Sequence, residues 1–275
     1  MCIRDREYLE SDGEVIKTYT NKKDKKSPGR RGPASRGPGA AAGPIAETKQ
    51  GMNRFVWDMR YPDAKKVPNA VMWGGSHIGP KAVPGEYKVR LTVNGNSQTE
   101  SFSIVKDPRI NTTQADFRAQ FNLLMDIRDR TTEINEKILT MRSIKKQINT
   151  LTGLMDKSGF KNDELLTAGK ELTKKLSAIE EELIQVKSRS GQDPLNYPIK
   201  LDNKIAALVR VVSSVDARPT AQSYGVLEDL VSQAQTNYRK MDKVLTEDLF
   251  EFNNMVSDAA VPAVMIIPSE MSKEK

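Results

Sequence analysis

One cysteine, Cys2, and one histidine, His77, are all the chain has of either residue. A single cysteine excludes an internal disulfide framework and any thiolate metal cluster. A single histidine removes most imidazole-based chemistry, because no second His or Cys exists to share a metal. Aromatics are only 6% of residues, so each one has to be placed with care. No run of about 18 apolar residues occurs, so no transmembrane helix is expected. The start, Met1-Cys2-Ile3-Arg4-Asp5-Arg6, has no apolar stretch and shows no signal peptide.

What is present is basic charge, and it is unevenly spread. The net charge is +7 over 275 residues. Residues 21–36 hold Lys22, Lys23, Lys25, Lys26, Arg30, Arg31 and Arg36 against Asp24 alone, a local net of +6. The other residues therefore sum to about +1, which argues against a nucleic-acid surface on the folded parts. Electrostatic binding of an anionic polymer through the tract is an alternative reading, although the tract has no aromatics to stack on bases. Its Gly/Pro/Ala-rich continuation buries little apolar surface, so 21–50 is expected to be a disordered insertion. With 37% hydrophobic and 29% charged residues, the chain suits long helices with narrow apolar stripes.

Strand signals fill the first third. Tyr8 precedes, and Val15, Ile16 and Tyr19 follow, the tight-turn dipeptide Asp12-Gly13, which reads as a hairpin over 7–20. The sequence is thus expected to open inside a domain, with 1–6 as a non-native start. In 53–60, Phe55, Trp57 and Met59 alternate with Arg54, Asp58 and Arg60. In 86–94, Tyr87, Val89 and Leu91 alternate with Glu86, Lys88 and Arg90. Period-two alternation of this kind predicts half-buried antiparallel strands. Asn94-Gly95-Asn96 supplies the turn to a last strand over 97–106, and Asp107-Pro108 ends the region.

From Thr112 the period changes to that of a helix. Thr112 or Thr113 caps a helix of about 44 residues, roughly 65 Å long, that ends at Lys157-Ser158-Gly159. A second helix is expected over 163–187 and a short third from Tyr197-Pro198 to about Ser214. A fourth follows Arg218-Pro219-Thr220. Its large residues fall at Tyr224, Leu227, Val231, Ala234, Tyr238, Met241, Leu245, Leu249, Phe252 and Val256. That is a heptad pattern with one four-residue shift near Leu245. The fold class expected is α+β multidomain: an incomplete antiparallel Ig-like β-sandwich over 7–108, an antiparallel bundle of about four helices over 109–258, and a tail over 259–275.

Candidate chemistry is sparse. His77, in a glycine-rich loop with Ser76, lacks the partners of a base or a ligand. Gly74-Gly75 is not followed by Lys-Ser/Thr and does not open a helix, so it reads as loop and not as a phosphate cradle. Glu180-Glu181-Glu182, Glu247-Asp248 and the pair Asp126 with Arg130 read as solvated helix faces. Trp57 is in phase with Phe55 and Met59 and is expected in a core, whereas Trp73 is expected at a contact with a neighbouring domain. No catalytic residue, cofactor or metal site is expected.

Gly51-Met52-Asn53-Arg54-Phe55-Val56-Trp57-Asp58-Met59-Arg60-Tyr61-Pro62-Asp63 and Gly79-Pro80-Lys81-Ala82-Val83-Pro84-Gly85-Glu86-Tyr87-Lys88-Val89-Arg90-Leu91 resemble a known pair of blocks. They are similar to the C-terminal region of bacterial BNR/sortilin-type β-propeller proteins, loosely labelled glycosyl hydrolases. The sandwich is also similar to the Ig-like domain of flagellar hook-capping proteins. Asp193-Pro194-Leu195-Asn196-Tyr197-Pro198-Ile199-Lys200-Leu201-Asp202-Asn203-Lys204 resembles the block between the helices of the propeller proteins. The resemblance covers roughly 7–258. It implies a non-catalytic structural or interaction module whose partner is an N-terminal β-propeller outside this sequence, in a secreted, periplasmic or cell-surface protein. A protein or polysaccharide partner is compatible with that reading. The alternative it leaves is an accessory region of an extracellular glycoside hydrolase or sialidase-like enzyme whose catalytic part lies elsewhere.

Overall fold

The computed structural model describes residues 4–21 and 51–264. The seven basic residues from Lys22 to Arg36, and all but the first residue of the insertion expected over 21–50, lie outside the described residues. Strands β1 (Arg4–Glu10), β2 (Val15–Thr20), β3 (Gly85–Val93) and β4 (Asn96–Ile104) make one antiparallel sheet in the order β2-β1-β3-β4. Helices α1 (Gln114–Ser158), α2 (Asp163–Leu183), α3 (Leu201–Val212), α4 (Ala221–Lys243) and α5 (Leu249–Asp258) follow. The chain is therefore α+β.

Both hairpins come from the turn chemistry. Gly13 takes φ 100°, and the Asp12 carboxylate accepts the Glu14 N–H at 3.0 Å. Asn94 and Gly95 both have positive φ, 53° and 86°, the two-residue turn whose twist matches its flanking strands. Arg4 to Arg6 belong to the sheet: they pair in register with Val93, Thr92 and Leu91 of β3. The domain start expected at residue 7 is thus three residues late.

The segment 53–60 corrects the sequence reading. It is an extended loop, and among the described residues its one isolated β-bridge joins Arg60 to Lys81. The Arg60 N–H turns back onto the Asp58 carboxylate at 3.1 Å, and Met59 sits at φ 55°, which a continuing strand cannot hold. The alternation still did its work on burial up to Trp57. Phe55 is half-buried and Trp57 buried, but Met59 is exposed. Trp57 stacks on Tyr8 at 4.4 Å between centroids, and its indole N–H donates to the Arg60 carbonyl at 3.3 Å. Tyr87 and Phe102 complete this aromatic layer. Among the described residues the sheet is a single layer, covered by this loop and by Phe117 and Phe121 of α1.

Two compact units result, and they do not divide at the expected boundary after 108. A sheet unit gathers the described parts of 4–64 with 77–128 and 212–220; a helical unit gathers 65–76, 129–211 and the described part of 221–264. The first four turns of α1 belong with the sheet because their apolar stripe enters the aromatic core. Thr113 caps that helix. It accepts the Asp116 N–H, while its own N–H donates to the Asp116 carboxylate.

In the helical unit, α1 and α2 run antiparallel, since Arg142 meets Glu180 and Lys145 meets Ser177. Gly159 at φ 76° ends the first and Asn162 caps the second, its side chain accepting the Leu165 N–H. α2 stops at Leu183, short of the expected 187, and α3 is confined to twelve residues. α4 and α5 are one rod interrupted by a π-helical stretch, Val244–Asp248, in which the Leu249 N–H reaches the Val244 carbonyl. That stretch falls where the heptad pattern makes its four-residue shift. Gly169 of α2 gives close approach there: a β-carbon on it would lie 3.0 Å from Thr152 and 3.3 Å from Phe252.

Candidate functional site

The sheet unit contains a cavity of about 250 Å³. Its floor is apolar: Ala82 and Val83 from the approach to β3, and Phe117, Phe121 and Leu124 from α1. Ala82, Val83, Phe117, Phe121 and Leu124 are all buried, so the floor is part of the packed core. Around the mouth stand Arg60, Lys81 and Lys106, with Asp107 and Asp216 as the acidic members. Arg60 is held by a bond to the Gly79 carbonyl at 2.8 Å, and Lys106 by one to the Thr112 carbonyl at 3.1 Å. The Asp107 carboxyl is kept below the usual carboxylate range by its hydrogen bonds from Arg109.

Gln120 is the polar element of the wall. It is only 7% exposed, and its amide N–H groups donate to the carbonyls of Val212 at 2.7 Å and Val215 at 2.6 Å. Its donors are therefore committed to the protein and its oxygen is the remaining valence. Gly79 tightens the same region. A β-carbon there would fall 2.1 Å from the Tyr61 carbonyl, so only glycine lets the two segments lie side by side.

Comparison with family models, with curated proteins and with solved structures finds no match. The chemistry of the site thus rests on its own residues. An apolar floor under a mouth of three cations and two carboxylates, one of them paired with Arg109, suits a group with an apolar body and an acidic end.

A second cluster lies in the helical unit. Glu180 is 2% exposed and receives Arg142 at 2.6 Å and Lys145 at 2.5 Å. This corrects the reading of Glu180-Glu181-Glu182 as a solvated face, which holds only for Glu181 and Glu182. Asp202, in the first turn of α3, is also 2% exposed. Burial pushes its carboxyl up to about 7, opposed by the Asn203 backbone N–H and by the charge of Arg142. Among the described residues no group of three or more His, Cys, Asp or Glu could hold a metal ion.

Asn203 holds the loop that carries Trp73. Its side-chain oxygen accepts the Trp73 N–H at 2.6 Å, and its NH₂ donates to the Trp73 carbonyl at 2.8 Å. The Ser76 N–H adds a bond to the Ala206 carbonyl at 3.0 Å. Gly75 gives room beside this clasp, since a β-carbon there would lie 3.0 Å from the Asn203 amide nitrogen and 3.2 Å from Ala206. Trp73 itself remains 43% exposed. Asn203→Ala is expected to cost about 1–3 kcal/mol by leaving two backbone groups unpaired. A chemical-denaturation midpoint that does not move would refute the clasp.

The remaining sequence candidates scatter. His77 is half-buried and accepts the Ala64 N–H with its carbonyl, with Gly74-Gly75 in the loop before it. Arg130 pairs with Glu133 at 3.2 Å, Asp248 with Lys175 at 2.6 Å and Glu247 with Lys243 at 3.7 Å. The residues that sequence reading missed share one signal. Gln120 is in phase with Phe117, Phe121 and Leu124; Glu180 with Leu176 and Leu183; Asp202 and Asn203 with Ile205 and Ala206. A polar residue on an apolar stripe must find its partner inside.

Proposed function

We propose that this chain is a non-catalytic interaction module of an exported propeller-type protein, in which an incomplete Ig-like sheet domain is joined to an antiparallel helical bundle. The observation that carries the reading is the sheet-unit cavity, with its buried apolar floor and its cationic mouth. That is the chemistry of a receptor for a partner's apolar side chain next to an acidic group. The aromatics of the 53–61 block support it from the other side, because Phe55, Trp57 and Tyr61 are taken up in the core of the sheet unit. Exposed Trp73 is a further proposed contact, and the parent's propeller is the proposed neighbour. The similarity of the 51–63 and 79–91 blocks to such proteins is consistent with a secreted, periplasmic or cell-surface setting.

Two measurements test the proposal. Titration with octanoate is expected to move the methyl resonances of Leu124 and Ile104 with millimolar affinity, whereas octylammonium leaves them in place. Equal response to both amphiphiles would remove the cationic mouth from the account. Turnover of sialyl or other glycoside substrates by this chain would overturn the non-catalytic reading.

A further inference from the structure

Strand β4 ends the sheet on the β3 side, and among the described residues no strand pairs with its far edge. Asn94-Gly95 closes the hairpin on the pair Val93 with Asn96, so hydrogen-bonded pairs recur at every second position from there. Asn96, Gln98, Glu100, Phe102 and Ile104 thus spend their backbone groups on β3. Ser97, Thr99, Ser101 and Ser103 turn theirs outward, and no backbone partner meets them among the described residues. The opposite edge is guarded: β2 carries Lys17, and its pairing with β1 shifts register between Tyr8 and Leu9. β4 has no lysine, arginine or proline, and its pairing runs unbroken from Gly85 to Val93 of β3. An edge so regular and unguarded is a template for another strand.

The residues along this edge select the strand that fits it. Phe102 and Ile104 pack against the aromatic core and are half-buried, while Glu100 before them and Lys106 after them are exposed. All four follow the two-residue spacing of one strand face. Glu100 has no ion-pair partner among the described residues, and Lys106 has protons to spare beyond its bond to the Thr112 carbonyl. Glu100, Phe102, Ile104, Lys106 is its own antiparallel complement. Two copies centred on Ser103 set Glu100 opposite the partner's Lys106 and Phe102 opposite the partner's Ile104. Ser101 then faces the partner's Val105, a residue that is 82% exposed in the single chain. Centring on Glu100 instead would set two carboxylates face to face. We propose that β4 is the contact of a two-fold dimer, in which a second copy of this chain continues the sheet in the register centred on Ser103. Ile104 and Lys106 also line the sheet-unit cavity, so the partner's Glu100 arrives at its cationic mouth. That last step rests on the function proposed for the cavity, whereas the strand pairing does not.

Sedimentation equilibrium of the full chain at low salt tests the pairing. So short a strand contact is a small interface, and a dimer with Kd on the order of 0.1 mM is expected. Glu100→Lys and Lys106→Glu are each expected to weaken it at least about tenfold, because two-fold symmetry makes one substitution spoil two contacts. Both positions are exposed, so neither change disturbs the fold. The double variant Glu100→Lys/Lys106→Glu is expected to restore the dimer, as is mixing the two single variants. A double variant no tighter than the singles overturns the register and with it the proposal. A chain that stays monomeric up to about 1 mM overturns it as well. Octanoate titrated in parallel separates the two readings. A monomeric chain that takes up octanoate overturns the dimer and spares the cavity; a charge-restorable dimer that ignores octanoate upholds the pairing and removes the cavity from it.

Discussion

Glu180→Ala is expected to destabilise the helical unit by about 3–5 kcal/mol, because it removes the shared anion and leaves Arg142 and Lys145 packed against an apolar layer without it. The carboxylate is buried, it bridges two cations of α1 from α2, and Leu176 and Leu183 flank it along the same stripe. Deleting one partner of such a group costs more than the pair contributes, since Lys145, with a side chain 18% exposed, has little access to water. Glu180→Gln keeps the shape and one acceptor, so its loss is expected to be smaller. Urea unfolding followed by far-ultraviolet circular dichroism reads both. A Glu180→Ala midpoint within error of the wild type would show that the two cations find water by rotating outward.

Raising the pH from 5 to 8 is expected to weaken the wild-type chain, and Asp202→Asn is expected to abolish that part of the loss. In the unfolded chain this carboxyl ionises near 4. In the folded chain burial holds it protonated up to about 7. The folded state therefore binds the extra proton between those values. Stability falls as pH rises through that window, and the full penalty stands above it. The gap corresponds to about 4 kcal/mol, with the opposing field of Arg142 already counted in it. Asp202→Asn should accordingly melt higher than the wild type at pH 8 and close to it below pH 4. Arg142 links the two predictions, since it serves Glu180 directly and Asp202 through its field. Removing Glu180 leaves Arg142 to Asp202 alone, so the titration of Asp202 should move down in Glu180→Ala. Carbon-detected NMR of the Asp202 carboxyl checks this, and an unmoved titration would uncouple the pair.

The helices were legible in the sequence because their signal is local and repeated. Thr113 as a cap, Gly159 as a stop and the stripe from Phe117 to Met155 each follow from residues a few positions apart. The β3–β4 hairpin was legible for the same reason, through Asn94-Gly95. Segment 53–60 was misread because alternation reports burial of one face and says nothing about a ladder. Phe55 and Trp57 are driven onto the sheet as expected, while Asp58 and Met59 turn the backbone away from pairing. The unit boundary was misplaced because it depends on contacts distant in sequence, such as Asn203 with Trp73. The cavity in the sheet unit had no signature of its own, since its floor is made of residues that any core would use. The polar residues on apolar stripes were visible, and reading them as partners to be found inside would have located both buried clusters.

The π-helical stretch between α4 and α5 acts as a phase shifter. A π turn takes up one residue more than an α turn, and one residue advances an α-helix by about 100°, so Val244–Asp248 sets the azimuth of everything after it. Phe252 faces the bare backbone of Gly169 because of that offset, four residues beyond the stretch. The aim of α5 is dialled by a single count of residues upstream.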